Sequence, residues 1–215
     1  MGDGPRRLVL WRHGRTAWNE GGRFQGQLDP PLDDTGLVQA RDAAPMLASL
    51  RPAVLVSSDL VRARDTAAAL AALVDVPVQD CAALREMDLG EWQGLTRREA
   101  RERFPEEYAE WQVGKDVRRG GGENYSEVGR RAADALLAAL SGVPPGGTLV
   151  AVSHGGTIRS AIGTLLDLEV VLWWRLGPLG NARWSVLVEN RRGWQLEEHN
   201  AGGRPERVTS GDDAR

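Results

Sequence analysis

Two of the three histidines in this chain occupy the same kind of place. Leu8 to Trp11 is an unbroken apolar run that leads into Arg12-His13-Gly14. Thr148 to Val152 leads in the same way into Ser153-His154-Gly155. A short, continuously apolar run reads as a strand buried on both faces. Polar side chains are costly at the tip of such a strand, so two histidines there, each close to a glycine, point to chemistry. A third apolar run, Ala53 to Val56, leads through Ser57-Ser58 to Arg62.

The groups gathered this way are two imidazoles and two guanidiniums. Arginine forks suit a tetrahedral oxyanion, which they grip through paired bonds. A neutral imidazole is a competent nucleophile. A second imidazole could donate to the same oxygens. Ester cleavage also needs a proton for the leaving oxygen, an effect of about 10²–10⁴-fold. Glu86, in an irregular stretch after the third strand, is the candidate. Each residue has a structural use when taken singly: a strand-end histidine in the core, Arg62 on a helix surface, Glu86 in a solvated loop. Their joint presence is what favours catalysis. Metal binding is the rival use of a histidine pair. No His-x-x-x-His spacing occurs, however, and the third histidine, His199, sits near the chain end.

Several elements must bring these groups together. Leu8–Trp11, Ala53–Val56, a short run from Pro77-Val78, and Thr148–Val152 predict strands. Asp34-Thr35-Gly36 opens an amphipathic helix through Leu37, Ala40, Ala44, Leu47 and Leu50, which Pro52 stops. Ser57-Ser58-Asp59 offers N-cap chemistry to a helix from about Leu60 to Val74. Cys81 to Gly94 is irregular. Helical segments follow near Thr96–Phe104 and Glu107–Val113. Arg118 to Gly122 reads as a flexible loop, either a solvated connector or a border of the site.

Glu127–Leu140 is helical, with Val128, Ala132, Leu136, Leu137 and Leu140 on one face. Ser153 to Thr157 turns directly into a helix over Ile158–Leu166. Val170–Leu176 reads as an apolar helix or half-helix, and its Trp173-Trp174 is either core or a dimer face. Ala182–Val188 and Trp194–Glu198 predict a β-hairpin. Strands alternating with helices predict an α/β sandwich whose sheet is mainly parallel, with an antiparallel edge strand. In such a sheet the strand C-termini share one edge, where ligands bind. Residues far apart in sequence could converge there, next to helix N-termini.

Composition narrows the class. The chain has 215 residues, 41% of them hydrophobic. This fits one domain, with a core over about 6–199 and a flexible tail over 200–215. The formal net charge of −3 argues against a general nucleic-acid binder. Cys81 is the sole cysteine, which excludes an intramolecular disulfide and a cysteine zinc cluster. No signal-type apolar segment precedes the first strand. The longest apolar runs fall short of the roughly 18 residues of a membrane helix. A soluble, cytoplasmic protein that engages no membrane is expected.

The motifs carry a resemblance. Arg12-His13-Gly14 with Thr16, Trp18 and Asn19, then Gln25-Gly26 and Leu32 to Gly36, resembles the signature of the histidine phosphatase superfamily, the phosphoglycerate-mutase-like group. Ser57 to Ala67, Leu84 to Gly94 and Val152 to Gly156 resemble its later motifs, in order. The resemblance implies a three-layer α/β/α sandwich and a phosphohistidine mechanism. His13 would attack phosphorus. Arg12, Asn19, Arg62, His154 and Gly155 would hold the phosphate, and Gln25 and Gly26 would meet the substrate. Glu86 would protonate the leaving oxygen and later activate water.

No metal and no cofactor are implied, because arginines supply the positive charge. Met87 to Trp92 stands where mutases of the family carry an Arg-His-Tyr-Gly-type stretch, so the phosphatase branch is expected. A cofactor-dependent phosphoglycerate mutase and a non-enzymatic phosphate-binding module are the alternatives. Gln25 to Asp29, Gly90 to Thr96 and Gly180 to Trp184 resemble actinobacterial phosphatases of glucosyl-3-phosphoglycerate. A small phosphorylated metabolite, a sugar or glycerate phosphate, is the expected partner. Trp92 and Trp111 either wall its pocket or belong to the core. A homodimer is left open.

Overall fold

The computed structural model describes residues 4–202. In chain order its elements are β1 (Arg7–Arg12), α1 (Ala17–Glu20), α2 (Asp34–Ser49), β2 (Val54–Ser57), α3 (Val61–Ala71), β3 (Val78–Asp80), α4 (Arg97–Arg103), α5 (Pro105–Gln112), α6 (Tyr125–Leu140), β4 (Thr148–Ser153), α7 (Gly155–Leu165), β5 (Trp184–Asn190) and β6 (Gly193–Ala201). The strands form one six-stranded sheet in the order β3-β2-β4-β1-β5-β6. Pairing is parallel from β3 through to β1, and β5 pairs antiparallel with both β1 and β6. The hairpin therefore closes one edge, as its alternation predicts. β6 continues through Ala201, so residues 200 and 201 belong to the sheet and not to a tail. The rest of the expected tail, from 203 onward, lies outside the described residues.

The continuously apolar strands sit where such strands must. Leu8, Val9, Leu10 and Trp11 are each at most 1% exposed. Strand side chains alternate between faces. Leu8 and Leu10 pack with Ala132, Leu136 and Leu140 of α6 and Ile158 and Ile162 of α7. Val9 and Trp11 pack on the other face, with Ala44 and Leu47 of α2 and Ala63, Ala67 and Leu70 of α3. Helices on both faces make the three-layer sandwich. Truncating a central side chain such as Leu10 to Ala would cost about 2–5 kcal/mol.

A third cluster is aromatic. Phe24, Trp92, Tyr108, Trp111, Tyr125 and Trp173 pack together with Met87 and Leu89, and they seat α4 and α5. Of the two sequence readings of Trp92 and Trp111, the core one is what the structure shows. Trp173 is core as well, only 4% exposed. Trp174 beside it packs edge-on to Trp111 and Tyr125.

The flexible loop expected at Arg118–Gly122 is instead a packed 3-10 turn over Arg119–Gly121. Its backbone lies directly against Gly90 and Asp88. Arg119 is 2% exposed and stacks over Trp111 and Tyr125. Glycine clusters suggest freedom, but here they permit backbones to touch. No helix among the described residues is long and apolar enough to cross a membrane.

Candidate active site

β1 and β4 lie side by side with Arg12 opposite Ser153. One residue further on, the chain leaves both strands. His13 and His154 therefore emerge as neighbours, with ring centroids 5.1 Å apart. The pairing runs one step past the strands, because the His13 N–H donates to the Ser153 carbonyl at 3.0 Å.

The His13 ring lies 2.7 Å, through Nδ1, from the Gly14 carbonyl. A carbonyl only accepts, so Nδ1 carries the proton and Nε2 keeps its lone pair. The ring is buried. Burial pushes its pKa well below the ordinary imidazole value, and repulsion from Arg62 and then Arg12 pushes further, against a small opposing effect of the Gly14 bond. The result is a neutral imidazole with one available nitrogen.

Neighbouring segments fix this corner. The Gly14 N–H donates to the Thr66 hydroxyl of α3 at 3.0 Å. The Asn181 amide nitrogen lies 3.3 Å from the carbonyls of both His13 and Gly14, and 3.2 Å from Asn19 Oδ1. The Ala182 N–H donates to the His13 carbonyl at 3.1 Å, and the Arg12 N–H to the Arg183 carbonyl at 2.9 Å. The Arg12 guanidinium donates to the Leu179 carbonyl. Residues 179–183 thus clamp the strand end. Sequence reasoning missed this use of Asn181. The signal lay in Gly180 to Trp184, one of the stretches that carry the resemblance.

Arg62 is fully buried on α3. It donates at 2.8 Å to the Leu28 carbonyl and at 2.8 Å to the Gly26 carbonyl. Asp29 stands 3.7 Å away. The 25–29 loop is wrapped around this guanidinium, and Gly26 contributes its carbonyl to it. Gln25 is buried too, and its Oε1 accepts from the Thr16 hydroxyl at 3.1 Å. Asn19 is buried at the first turn of α1, where it forms a capping box with Thr16.

His154 is the N-cap of α7. Its Nε2 shares a 2.8 Å hydrogen bond with the Ser58 hydroxyl. Its Nδ1 is buried and meets no protein partner. Burial lowers its pKa well below the ordinary value, with Arg62, His13 and Arg12 adding repulsion. Ser58, one of the three residues expected to supply a cap for α3, is thus turned to the histidine and takes only the Leu60 N–H, at 3.3 Å. α3 has no side-chain cap of its own; its N-cap is Leu60. Asp29 of the wrapped loop takes the Val61 N–H instead, at 2.8 Å.

Glu86 is 4% exposed and sits at the start of α7. Its Oε1 accepts from the N–H groups of Met87 and Thr157, both at 2.9 Å, and lies 3.0 Å from the Thr157 hydroxyl. Its Oε2 accepts from the Gly156 N–H at 3.1 Å. The start of α7 therefore holds the Glu86 carboxyl. Gly155 opens that helix, beside His154. Gly156 must be small, since a Cβ there would lie 2.8 Å from Glu86 Oε1.

Arg12, His13, Arg62 and His154 thus form one cluster, and Glu86 joins it through the first turn of α7. Such a set can deliver a nucleophilic nitrogen, positive charge for an oxyanion, and an acid–base carboxyl. His199, by contrast, is occupied structurally, between the Ser185 hydroxyl and the Gly177 carbonyl. Among the described residues, no three His, Cys, Asp or Glu side chains gather as metal ligands.

The family model described as the histidine phosphatase superfamily (branch 1) matches residues 8–202. The chain belongs to that superfamily. Among curated histidine phosphatase relatives, glucosyl-3-phosphoglycerate phosphatase of Mycobacterium tuberculosis is 39% identical over 189 residues, 85% of each chain. The metal-independent phosphoserine phosphatase of Arabidopsis thaliana is 38% identical over 194 residues, 88% of this chain and 79% of that one. Among solved structures, a mycobacterial glucosyl-3-phosphoglycerate phosphatase complexed with VO3 superposes with a TM-score of 0.86 at 38% identity, covering 92% of this chain and all of the other. The three-layer fold of this histidine phosphatase is that of its relatives.

Proposed function

We propose that this histidine phosphatase hydrolyses phosphate monoesters of small metabolites without a metal, through a phosphohistidine on His13. The observation that carries the reading is a buried neutral imidazole, its Nδ1 tied to Gly14, set beside Arg12, Arg62 and His154. Nε2 attacks phosphorus. The two guanidiniums and His154, with Asn19 and the start of α7 at Gly155, balance the charge on the transferring oxygens, which is how most phosphoryl-transfer catalysis works. Glu86 gives the leaving oxygen its proton. Its Oε1 already takes two backbone N–H donors and Oε2 only one, so Oε2 is the working oxygen.

The substrate class follows from the relatives. One is named for glucosyl-3-phosphoglycerate and another for phosphoserine. Both ligands are phosphate esters of small carboxylate-bearing alcohols. A phosphorylated glycerate or its glucosyl derivative is the substrate favoured here, with Gln25 and Gly26 on its side of the site. The acidic balance and the single cysteine favour a cytoplasmic enzyme of small molecules over a nucleic-acid partner.

The test is phosphate release from a panel of phosphorylated metabolites in excess chelator, for the wild type and His13→Ala. Turnover by the wild type and none by the variant is expected. Equal turnover by both would sink the mechanism, and loss with chelator would revive a metal. Inorganic phosphate as sole product separates a phosphatase from a mutase.

A further inference from the structure

Glu86 lies on neither a strand nor a helix. It sits between the 3-10 turns Ala82–Leu84 and Gly90–Trp92. Backbone without a ladder must satisfy its polar groups in other ways. Two side chains, Arg131 in the second turn of α6 and Glu123 just before its N-cap, do this on both sides of Glu86. Arg131 Nη1 donates to the Ala83 carbonyl at 2.7 Å and to the Arg85 carbonyl at 3.0 Å, and Nη2 donates to the Glu86 carbonyl at 3.2 Å. The same guanidinium forks onto Glu123, with Nε to Oε1 at 2.7 Å and Nη2 to Oε2 at 2.8 Å. Glu123 Oε2 in turn accepts the Asp88 N–H at 2.9 Å, and the Glu123 N–H donates to the Asp88 carbonyl at 2.8 Å.

We propose that the Arg131–Glu123 bridge positions the Glu86 carboxyl for proton transfer, an inference that rests on the reading of Glu86 as acid and base. α7 grips the carboxyl itself, while the bridge sets the backbone from which it extends. The Thr157 hydroxyl ties the two grips together, donating to the Arg85 carbonyl at 2.8 Å. Burial opposes ionisation of Glu123, but Arg131 and the Asp88 N–H outweigh it, and its pKa is held below the usual carboxylate value. The bridge is therefore ionised at neutral pH.

As the His13 Nε2–P bond forms, the P–O bond breaks, and its electron pair goes to the leaving oxygen, which takes the proton of Glu86. The Glu86 carboxylate then takes a proton from the water that attacks the phosphohistidine; as the water O–P bond forms the Nε2–P bond breaks, its electron pair returns to His13 Nε2, and inorganic phosphate leaves. A lysine at 131 keeps the charge but cannot fork over three carbonyls and a carboxylate.

The experiment compares kcat/KM, which reports the steps through alcohol release, on two substrates. Phosphoserine has an alkoxide leaving group that needs a proton; 2,4-dinitrophenyl phosphate does not. Arg131→Lys and Glu123→Gln are each expected to lose about 10–10²-fold on phosphoserine and only a few-fold on the aryl ester. Glu86→Gln should show the same discrimination, and Arg131→Lys should add little to it in the double variant. Thermal melting and inhibition by inorganic phosphate report the fold. If Arg131→Lys fails to fold, Glu123→Gln carries the comparison. Equal losses on both substrates, no loss on either, or full additivity with Glu86→Gln would overturn the proposal. A Glu86→Gln variant that does not discriminate would overturn the reading beneath it as well. A wild type inactive on both esters and on phosphorylated glycerates alike would instead remove the phosphatase reading itself.

Discussion

Gly14 and Gly36 lie backbone to backbone: a Cβ on Gly14 would sit 2.9 Å from the Gly36 carbonyl carbon and nearer still to its oxygen. The residue after the candidate nucleophile is therefore seated on the first turn of α2. Gly36 is as tightly placed against the next residue, since a Cβ on it would meet the Arg15 nitrogen at 2.7 Å. Gly14→Ala and Gly36→Ala should each destabilise the fold by about 1–3 kcal/mol through overpacking. Each should also displace His13 and lower kcat/KM by about 10²-fold. Denaturant melts and steady-state kinetics check both numbers. Wild-type activity in Gly14→Ala would show that the corner does not need this contact.

Replacing His13 should remove the phosphoenzyme. Acid-labile, alkali-stable phosphate is expected on the wild type quenched during turnover, and none on His13→Ala. Label retained by the variant would move the nucleophile elsewhere.

Ser58 holds His154 through the 2.8 Å bond to Nε2. Ser58→Ala leaves that buried nitrogen without its partner, at a cost of about 1–3 kcal/mol. Activity should drop by about tenfold, with weaker inhibition by inorganic phosphate, as the ring loses its orientation. Unchanged melting and unchanged phosphate inhibition would count against this role.

Acid should weaken the fold through the two buried imidazoles. Their pKa values are lowered well below 6.5, first by burial and then by Arg62 and other neighbouring cations. The unfolded chain takes up protons below about 6.5 that the folded chain refuses. Stability is therefore full above that value and falls as pH drops toward the lowered folded-state values. The slope is about 1.4 kcal/mol per pH unit for each histidine within that window. His154→Gln should flatten the acid limb of a stability–pH curve relative to wild type. An equally steep limb would assign the effect to other groups.

Much of the fold was legible because its signals are local. Apolar runs marked the buried strands, whereas the capping boxes at Thr16, Thr96 and Asn124 emerged only in the structure. Strand–helix alternation implied a parallel sheet, and hence that His13, Arg62 and His154 leave it at one edge. Other features resisted reading because they depend on who the neighbour is. Ser58 looks like a helix cap, yet it serves His154. The Arg118–Gly122 stretch looks mobile, yet Gly90 packs against it. Asn181 and the Arg131–Glu123 pair carry no periodicity, since side chains that bond to irregular backbone leave no pattern in sequence.

The sequence alone, then, determined the chemical types, two imidazoles, two guanidiniums and a carboxyl, and the strand ends that present the imidazoles. Tertiary structure decided their relations. The Arg12–Ser153 register makes neighbours of two histidines 141 positions apart, and the start of α7 captures Glu86 instead of leaving it in solvent. The reason is physical: local sequence sets which backbone forms, but register and the filling of buried hydrogen bonds are settled only when the layers pack together.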